Sequence, residues 1–100
     1  MGKPTYAVLV KLGSELDEAE LLRRMRERVP EFRALDGLTQ KYYLKSTTDP
    51  GTYGGFYLWQ SLEDVQEYRS SELAATIGSA YEAAGAPSVE VFEILMPLRE

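Results

Sequence analysis

The sequence contains no cysteine and no histidine among its 100 residues. Without cysteine there are no disulfide bonds and no thiolate nucleophile, and without histidine there is no imidazole for acid–base catalysis. The usual ligands of zinc, haem and non-haem iron are missing as well, so a metal would have to be bound by oxygen atoms alone. We therefore do not expect one of the usual metal sites.

Basic residues are scarce relative to acidic ones. The 16 acidic and 11 basic side chains give a formal net charge of −5, which repels both a nucleic-acid backbone and an anionic membrane surface. No long apolar run follows the opening residues "MGKPTYAVLV", so neither a signal peptide nor a membrane span is indicated. We expect a cytoplasmic protein with no nucleic acid and no membrane as partner.

Size and composition predict one domain over residues 1–100, of which 44% are hydrophobic. A domain this small leaves a large share of its surface exposed after folding. A second copy of the chain could cover the excess apolar surface, so a homodimer is expected.

The hydrophobic pattern of the first half predicts a strand, a helix and a second strand. Residues 5–12 form the first strand and residues 38–46 the second. Between them, residues 17–29 carry apolar side chains at helical spacing, and Asp17 with the glutamate three positions later has the spacing of a capping box. Pro30 is expected to end this helix.

The second half predicts a third strand, a further helical region and a last strand. The third strand lies in "YGGFYLWQS", residues 53–61, and Ser61 begins the next helix with an acidic residue three positions later. Helical spacing continues up to Gly85. Residues 88–96 form the last strand, which Pro97 ends.

This order of elements is the βαββαβ arrangement of a ferredoxin-like α+β fold, with a four-stranded antiparallel sheet and the helices on one face. The third strand has apolar side chains on both of its faces. One face should pack against the helices, and the other should contact a second sheet about 10 Å away or a flat aromatic ligand. The turn before this strand is too long to show which side chains lie on which face.

Three segments, "DGLTQKYYLKS", "GGFYLWQSLEDVQEYRSSE" and "SVEVFEILMPL", resemble the YdhR-like mono-oxygenases of the dimeric α+β barrel superfamily, and the likeness covers residues 4–98. The matching features are, in chain order, the Gly-x-x-x-Lys from Gly37 to Lys41, the Gly-Gly-aromatic-Tyr-Leu-aromatic from Gly54 to Trp59, Tyr68, and the Val-Phe-acidic from Val91 to Glu93.

The resemblance implies that two sheets pair face to face into a dimeric barrel, and that each subunit keeps a pocket between its sheet and its helices. In that superfamily such pockets oxygenate electron-rich aromatic substrates without metal or flavin, while other members isomerise lactones or degrade haem. Several of the relatives carry a histidine near the position of Glu72. A histidine-based scheme is therefore out of reach for this chain.

Five aromatic residues are candidates for the pocket. A tyrosine supplies a ring for stacking and a hydroxyl for hydrogen bonding, which suits a mostly apolar site with few polar groups. We assign substrate binding to Tyr42, Tyr57, Trp59 and Tyr68, and a catalytic hydrogen bond to the substrate oxygen to Tyr43. The alternative is that these rings form only the core and the dimer interface.

Lys41 is the second candidate catalytic residue, and strand alternation places it on one face with Tyr43 and Lys45. A partly buried lysine has a lowered pKa and can act as a base or stabilise an anion, whereas an exposed lysine on an edge strand only discourages aggregation. The predicted topology places this strand at the sheet edge, which favours the second alternative. The match of Lys41 to the family favours the first.

The arginine run of the first helix, Arg23, Arg24, Arg26 and Arg28, is interleaved with glutamates. This spacing predicts a solvated helix face with local ion pairs.

The function that these features favour is a cofactor-independent mono-oxygenase acting on a small hydrophobic aromatic ligand, such as a phenol, a quinol or a polyketide-like molecule. The alternatives are a non-catalytic small-molecule-binding or structural dimer, and an isomerase or cyclase of the same superfamily. RNA-recognition motifs share the element order, but the charge counts against RNA. An unperturbed lysine or tyrosine titrates near pH ~10, so the pocket must lower one such pKa or the substrate must ionise unaided.

Overall fold

The chain folds into a four-stranded antiparallel sheet with helices on one face, in a computed structural model that describes residues 2–99. Its elements are, in chain order, β1 (Tyr6–Gly13), α1 (Glu18–Arg33), β2 (Leu38–Lys45), β3 (Thr52–Trp59), α2 (Leu62–Arg69), α3 (Glu72–Ala75), α4 (Ile77–Ala80) and β4 (Ser88–Glu93). The strand order is β2-β3-β1-β4, and neighbouring strands are antiparallel. The predicted ferredoxin-like α+β fold is confirmed. No helix in the described part of the chain is long and apolar enough to cross a membrane.

The pairing of β1 with β3 shows which side chains of the third strand face the helices. Val8 belongs to the buried core and lies opposite Tyr57, so Tyr57 and Trp59 face the helices as well. Phe56 and Leu58 therefore point to the uncovered face of the sheet. The helices contribute Leu21, Met25, Phe32, Val65, Tyr68 and Ile77 to the core.

Helix α1 does not end before Pro30, as the sequence predicts, but continues to Arg33. A proline inside a helix removes a backbone hydrogen bond and costs about 3 kcal/mol or more. The additional turn buries Phe32, whose ring centroid lies 6.1 Å from that of Tyr57 and 6.0 Å from that of Tyr68. Burying a phenylalanine contributes about 1.5–3 kcal/mol, and the ring pairs add to it, so the packing of Phe32 offsets the cost of the proline.

The two predicted helix caps have different outcomes. Ser61 caps α2 as predicted, since its hydroxyl accepts a hydrogen bond from the backbone N–H three residues later at 3.1 Å. Asp17 precedes α1 but makes no side-chain cap. The glutamate expected to complete that box, Glu20, forms ion pairs with Arg23 and Arg24 instead.

The elements of the C-terminal half are shorter than predicted. The helical region breaks into α2 and the single turns α3 and α4, and it ends at Ala80 rather than just before Gly85. The early end follows from Glu82, which takes a left-handed φ of 49°. Strand β4 ends at Glu93 and not at residue 96, because its partner β1 begins at the residue opposite Glu93.

Candidate functional site

Lys41 lies on the edge strand β2 with its side chain directed towards the helices. A β-bulge near the start of β2 sets the register, and Lys41 pairs with the core-facing Tyr57 of β3. The Lys41 amine nitrogen, Nζ, lies 3.4 Å from the ring centroid of Phe32, and 4.4 and 4.5 Å from those of Tyr43 and Tyr57. Three aromatic rings therefore surround the amine.

The amine has no anionic partner within residues 2–99, where every ion pair involves other cations. Loss of water around it, followed by repulsion from Arg28, lowers the pKa of Lys41 to about 7. The ring faces attract the charged form and offset part of this effect. Lys41 lies on an edge strand, as predicted, but it is partly buried rather than exposed.

Four rings form one aromatic cluster next to the amine. Tyr57 and Trp59 are stacked with centroids 6.3 Å apart, and Tyr68 packs on them at 5.6 and 5.1 Å, while Phe32 contacts Tyr57 and Tyr68. The Tyr68 hydroxyl donates a long hydrogen bond of 3.4 Å to the Tyr57 hydroxyl. Burial raises the pKa of both tyrosines, which therefore stay protonated at neutral pH. The cluster brings together three of the four predicted binding residues.

The fourth, Tyr42, lies on the opposite face of the sheet. It pairs with Phe56 and keeps 53% of its surface exposed. Because alternate residues of a strand point to opposite faces, Tyr42 does not share the cluster, contrary to the grouping made from the sequence. Tyr43 does lie on the Lys41 face, as predicted, and partial burial raises the pKa of its hydroxyl.

A cleft of about 360 Å³ opens beside Lys41, between α1 and β2, and Phe32, Leu38 and Tyr43 also line it. Its size falls within the range of small-molecule sites, about 300–1,000 Å³. The void beneath Lys41 that reaches Tyr57 measures only about 10 Å³, roughly the space of one water molecule. A ligand in the cleft can therefore contact Lys41 and Tyr43, and it reaches Tyr57 only if Phe32 or Lys41 moves.

A second cleft, of about 380 Å³, lies beside Trp59 on the other side of the cluster. Asp36, Asp64 and Glu67 make its lining acidic, which disfavours an anionic ligand. Among the residues that the structure describes, no three acidic side chains come close enough together to hold a metal ion. The predicted site residues are thus separated: Lys41 and Tyr43 line the first cleft, while Trp59 and Tyr68 line the second. The cleft beside Lys41 has the chemistry predicted for a phenol.

Arg28 and Phe32 also belong to the site, and the sequence analysis missed both. Phe32 lies beyond Pro30, where the helix was expected to have ended, and Arg28 was grouped with the solvated arginines. The sequence contained a signal for both. Leu21 and Met25 lie on the buried face of α1, and the next positions on that face, three and then four residues further on, are Arg28 and Phe32.

Specific contacts hold Arg28 between α1 and the short helices. Its guanidinium donates hydrogen bonds to the Thr76 hydroxyl at 3.1 Å and to the Leu73 carbonyl at 2.5 Å, and it lies 5.9 Å from the Phe32 ring centroid. The interpretation as a solvated face with ion pairs is wrong for Arg28. The predicted local ion pairs are present for the two arginines that pair with Glu20 and lower the pKa of its carboxyl group to about 2.

Comparison with known proteins finds similarity in structure. No protein-family model and no curated protein matches the chain. A protein of unknown function from Nitrosomonas europaea is 24% identical with a TM-score of 0.77, over 97% of this chain and 95% of that one. A Caulobacter crescentus protein with the provisional name antibiotic biosynthesis monooxygenase is 18% identical with a TM-score of 0.75, over 94% and 92%.

SnoaB from Streptomyces nogalater, a cofactor-independent oxygenase, is 11% identical with a TM-score of 0.75, over 97% of this chain and 99% of that one. Likeness at such identities concerns the fold. The chain therefore shares the ferredoxin-like α+β fold of these monooxygenase-like proteins.

Proposed function

We propose that the protein is a cofactor-independent mono-oxygenase of the dimeric α+β barrel superfamily, acting on a hydrophobic phenol, quinol or polyketide-like substrate. The observation that carries this proposal is the Lys41 amine, which lies among aromatic rings at a cleft of about 360 Å³ without a carboxylate beside it. The fold shared with SnoaB supports it. The narrower relationship to YdhR-like proteins rests on the sequence motifs.

In this proposal Lys41 is the base that composition alone could not identify. Because its pKa is lowered to about 7, much of the amine is neutral at physiological pH and can remove a phenol proton. The ammonium that forms remains beside the phenolate and stabilises it. The Tyr43 hydroxyl, whose raised pKa keeps it protonated, donates a hydrogen bond to the same oxygen.

The oxidation itself needs no cofactor because the substrate supplies the electrons. The phenolate reduces dioxygen, one oxygen atom becomes a quinone carbonyl, and the other leaves as water with the hydrogens of the phenol O–H and the attacked ring C–H. Phe32 and Leu38 pack against the ring and exclude bulk water. Tyr57 packs against Lys41 from behind, and Trp59 and Tyr68 pack on Tyr57.

Lys41→Met is expected to lower kcat/KM for oxygen uptake by about 10²–10⁴-fold, the usual contribution of a general base. Tyr43→Phe should lower it by about 10²-fold, as loss of one donor to an oxyanion does. Aromatic compounds that bind in a thermal-shift screen are assayed with an oxygen electrode. Lys45→Met is the control, since Lys45 lies on the same strand but pairs with Glu18 at 3.0 Å on the surface.

The same assay gives a pH profile. The wild-type kcat/KM should rise as the pH passes through about 7, because only the deprotonated Lys41 accepts a proton, and Lys41→Met should lose this step. Binding without oxygen uptake would favour a carrier or an isomerase. Uptake that neither substitution changes would contradict the roles of Lys41 and Tyr43.

We also propose that two chains pair through the uncovered face of the sheet. Leu9, Phe56 and Leu58 occupy the middle of that face, and Tyr42 and Phe92 add rings that are 53% and 48% exposed. An apolar surface of this kind typically marks an interface. A stable homodimer would bury about 1,600 Å² or more in total.

Light scattering after size-exclusion chromatography at micromolar concentration should give twice the mass of the chain. Phe56→Glu should produce a folded monomer, because a buried unpaired charge opposes pairing of the two sheets. Leu62→Glu, a comparable change on the outer side of α2 where Leu62 is 39% exposed, should leave the dimer intact. A monomeric wild type would contradict the barrel.

A further inference from the structure

Lys41 differs from the other three lysines of the chain in its surroundings. Lys3 and Lys11 are exposed to solvent, and Lys45 pairs with Glu18 at the surface. Within the described residues, Lys41 Nζ has neither a carboxylate nor a hydrogen-bond acceptor, and aromatic rings lie on its flanks. Its free amine therefore faces a cleft rather than bulk water.

We infer that Lys41 is a nucleophile that forms an imine with a hydrophobic aldehyde or ketone bound in the cleft between α1 and β2, independently of any oxygenation. The neutral amine adds to the carbonyl carbon, and a proton moves from nitrogen to oxygen to give a carbinolamine. Loss of water then gives the imine. No electrons are transferred to an outside acceptor, so the reaction requires no oxidant and no cofactor.

The surroundings of Lys41 meet both conditions that activate a lysine as a nucleophile, exclusion of water and a neighbouring cation. Burial and the Arg28 guanidinium together lower the pKa of its amine to about 7. Tyr43 lines the same cleft and keeps its proton. Its hydroxyl can therefore protonate the oxygen that leaves the carbinolamine.

Gly55 provides the room that the Lys41 side chain occupies. It lies opposite Tyr43 in β3, and a Cβ atom at this position would be 3.3 Å from Lys41 Cε and 2.8 Å from a ring atom of Tyr57. An added side chain would press on the Tyr57 ring and on the Lys41 stem, and both would have to shift. The absence of a side chain at Gly55 thus helps to fix the amine at the cleft.

The lining of the cleft indicates the kind of carbonyl compound that would bind. Val29, Phe32 and Leu38 provide apolar contacts, and Arg33 is the charged residue at the cleft besides Lys41. An aromatic aldehyde or ketone fits this lining, and Arg33 would favour one with an acidic substituent. Among residues 2–99, no carboxylate lines the cleft to compete for the amine.

Reductive trapping tests the inference on the wild-type protein. The chain is incubated with 2-naphthaldehyde and sodium cyanoborohydride at pH 7 under argon, then digested, and each lysine peptide is quantified by mass spectrometry. We expect Lys41 to gain the probe mass less one oxygen atom at least about tenfold faster than Lys3, Lys11 and Lys45, because burial lowers the pKa of the Lys41 amine to about 7 and the cleft binds the probe beside it. Any adduct on the α-amino group is scored separately.

Two further comparisons distinguish labelling that depends on the cleft from labelling that depends only on the solvent exposure of a lysine. Lys41 labelling should rise with pH and reach its plateau above about pH 7, and Lys45→Arg should leave the Lys41 adduct unchanged. Formaldehyde serves as a small probe that labels lysines according to exposure. Equal labelling of all lysines by 2-naphthaldehyde, or labelling of Lys41 by formaldehyde alone, would overturn the inference. Since the trapping excludes dioxygen, its outcome is independent of the oxygen-uptake assay.

Discussion

Gly54→Ala is expected to lower the free energy of unfolding by about 3 kcal/mol or more, at the upper end of what an inserted methyl group costs. A Cβ atom at Gly54 would overlap the backbone carbonyl oxygen of Val10 in the neighbouring strand β1. A side chain could rotate away, but a backbone carbonyl cannot. The clash is relieved only if β1 and β3, the central pair of the sheet, separate.

Two other glycines provide matched controls. Gly13→Ala places its Cβ 3.8 Å from Ala84 and should be neutral or slightly stabilising, since alanine costs less backbone entropy than glycine. Gly55→Ala meets side-chain atoms of Lys41 and Tyr57, and should cost about 1–2 kcal/mol as they adjust. Urea denaturation followed by circular dichroism measures all three. A Gly54→Ala value within about 1 kcal/mol of Gly13→Ala would show that the sheet adapts, contrary to this prediction.

These glycines illustrate what the sequence reveals and what it leaves open. The Gly-Gly-aromatic pattern was visible as part of a family resemblance, but its two positions serve different purposes. Gly54 allows two backbones to approach, and Gly55 makes room for Lys41 and Tyr57 on the other face. Both reasons depend on which residues of neighbouring strands lie opposite one another. The sequence does not show this register, because the turn before β3 is long.

Local rules succeeded where neighbouring residues decide the outcome. The element order, the Ser61 cap and the shared face of Lys41 and Tyr43 follow from periodicity and spacing, and the structure contains all three. The proline rule failed at Pro30 because burial of Phe32 by distant rings outweighs a local cost.

At the candidate site, too, local patterns predicted part of the arrangement and distant residues determined the rest. Alternation along β2 identified the face that carries Lys41, while its edge position suggested solvent exposure. The surroundings of Lys41 come from α1, which supplies Phe32 and Arg28 at positions that looked like a helix end and a charged surface. A lowered pKa requires groups that converge from separate elements, so the sequence left the base unidentified.

Lys41→Met is expected to increase the free energy of unfolding at pH 7 by on the order of 2 kcal/mol, although it should lower the activity. The pKa of Lys41 falls from 10.5 to about 7 on folding, so the folded state disfavours the ammonium. A shift of that size corresponds to about 5 kcal/mol once the pH is below the folded-state pKa. Methionine keeps the apolar stem and removes the charge, but the contact between the ammonium and the rings, about 2 kcal/mol at a desolvated site, is lost as well, so only part of this difference is gained.

The sign of the pH dependence distinguishes this explanation from a general packing effect. Between pH 7 and 10.5 the unfolded chain binds more protons at this lysine than the folded chain does, so wild-type stability should rise with pH across pH ~7–9. Lys41→Met should lack this rise. Lys45→Met should show no gain in stability, because pairing with Glu18 raises rather than lowers the pKa of Lys45.

Urea denaturation of the three proteins at several pH values measures the effect. A Lys41→Met protein no more stable than wild type at pH 7 would mean that the rings compensate the ammonium fully, which would leave Lys41 charged at neutral pH and remove the proposed base.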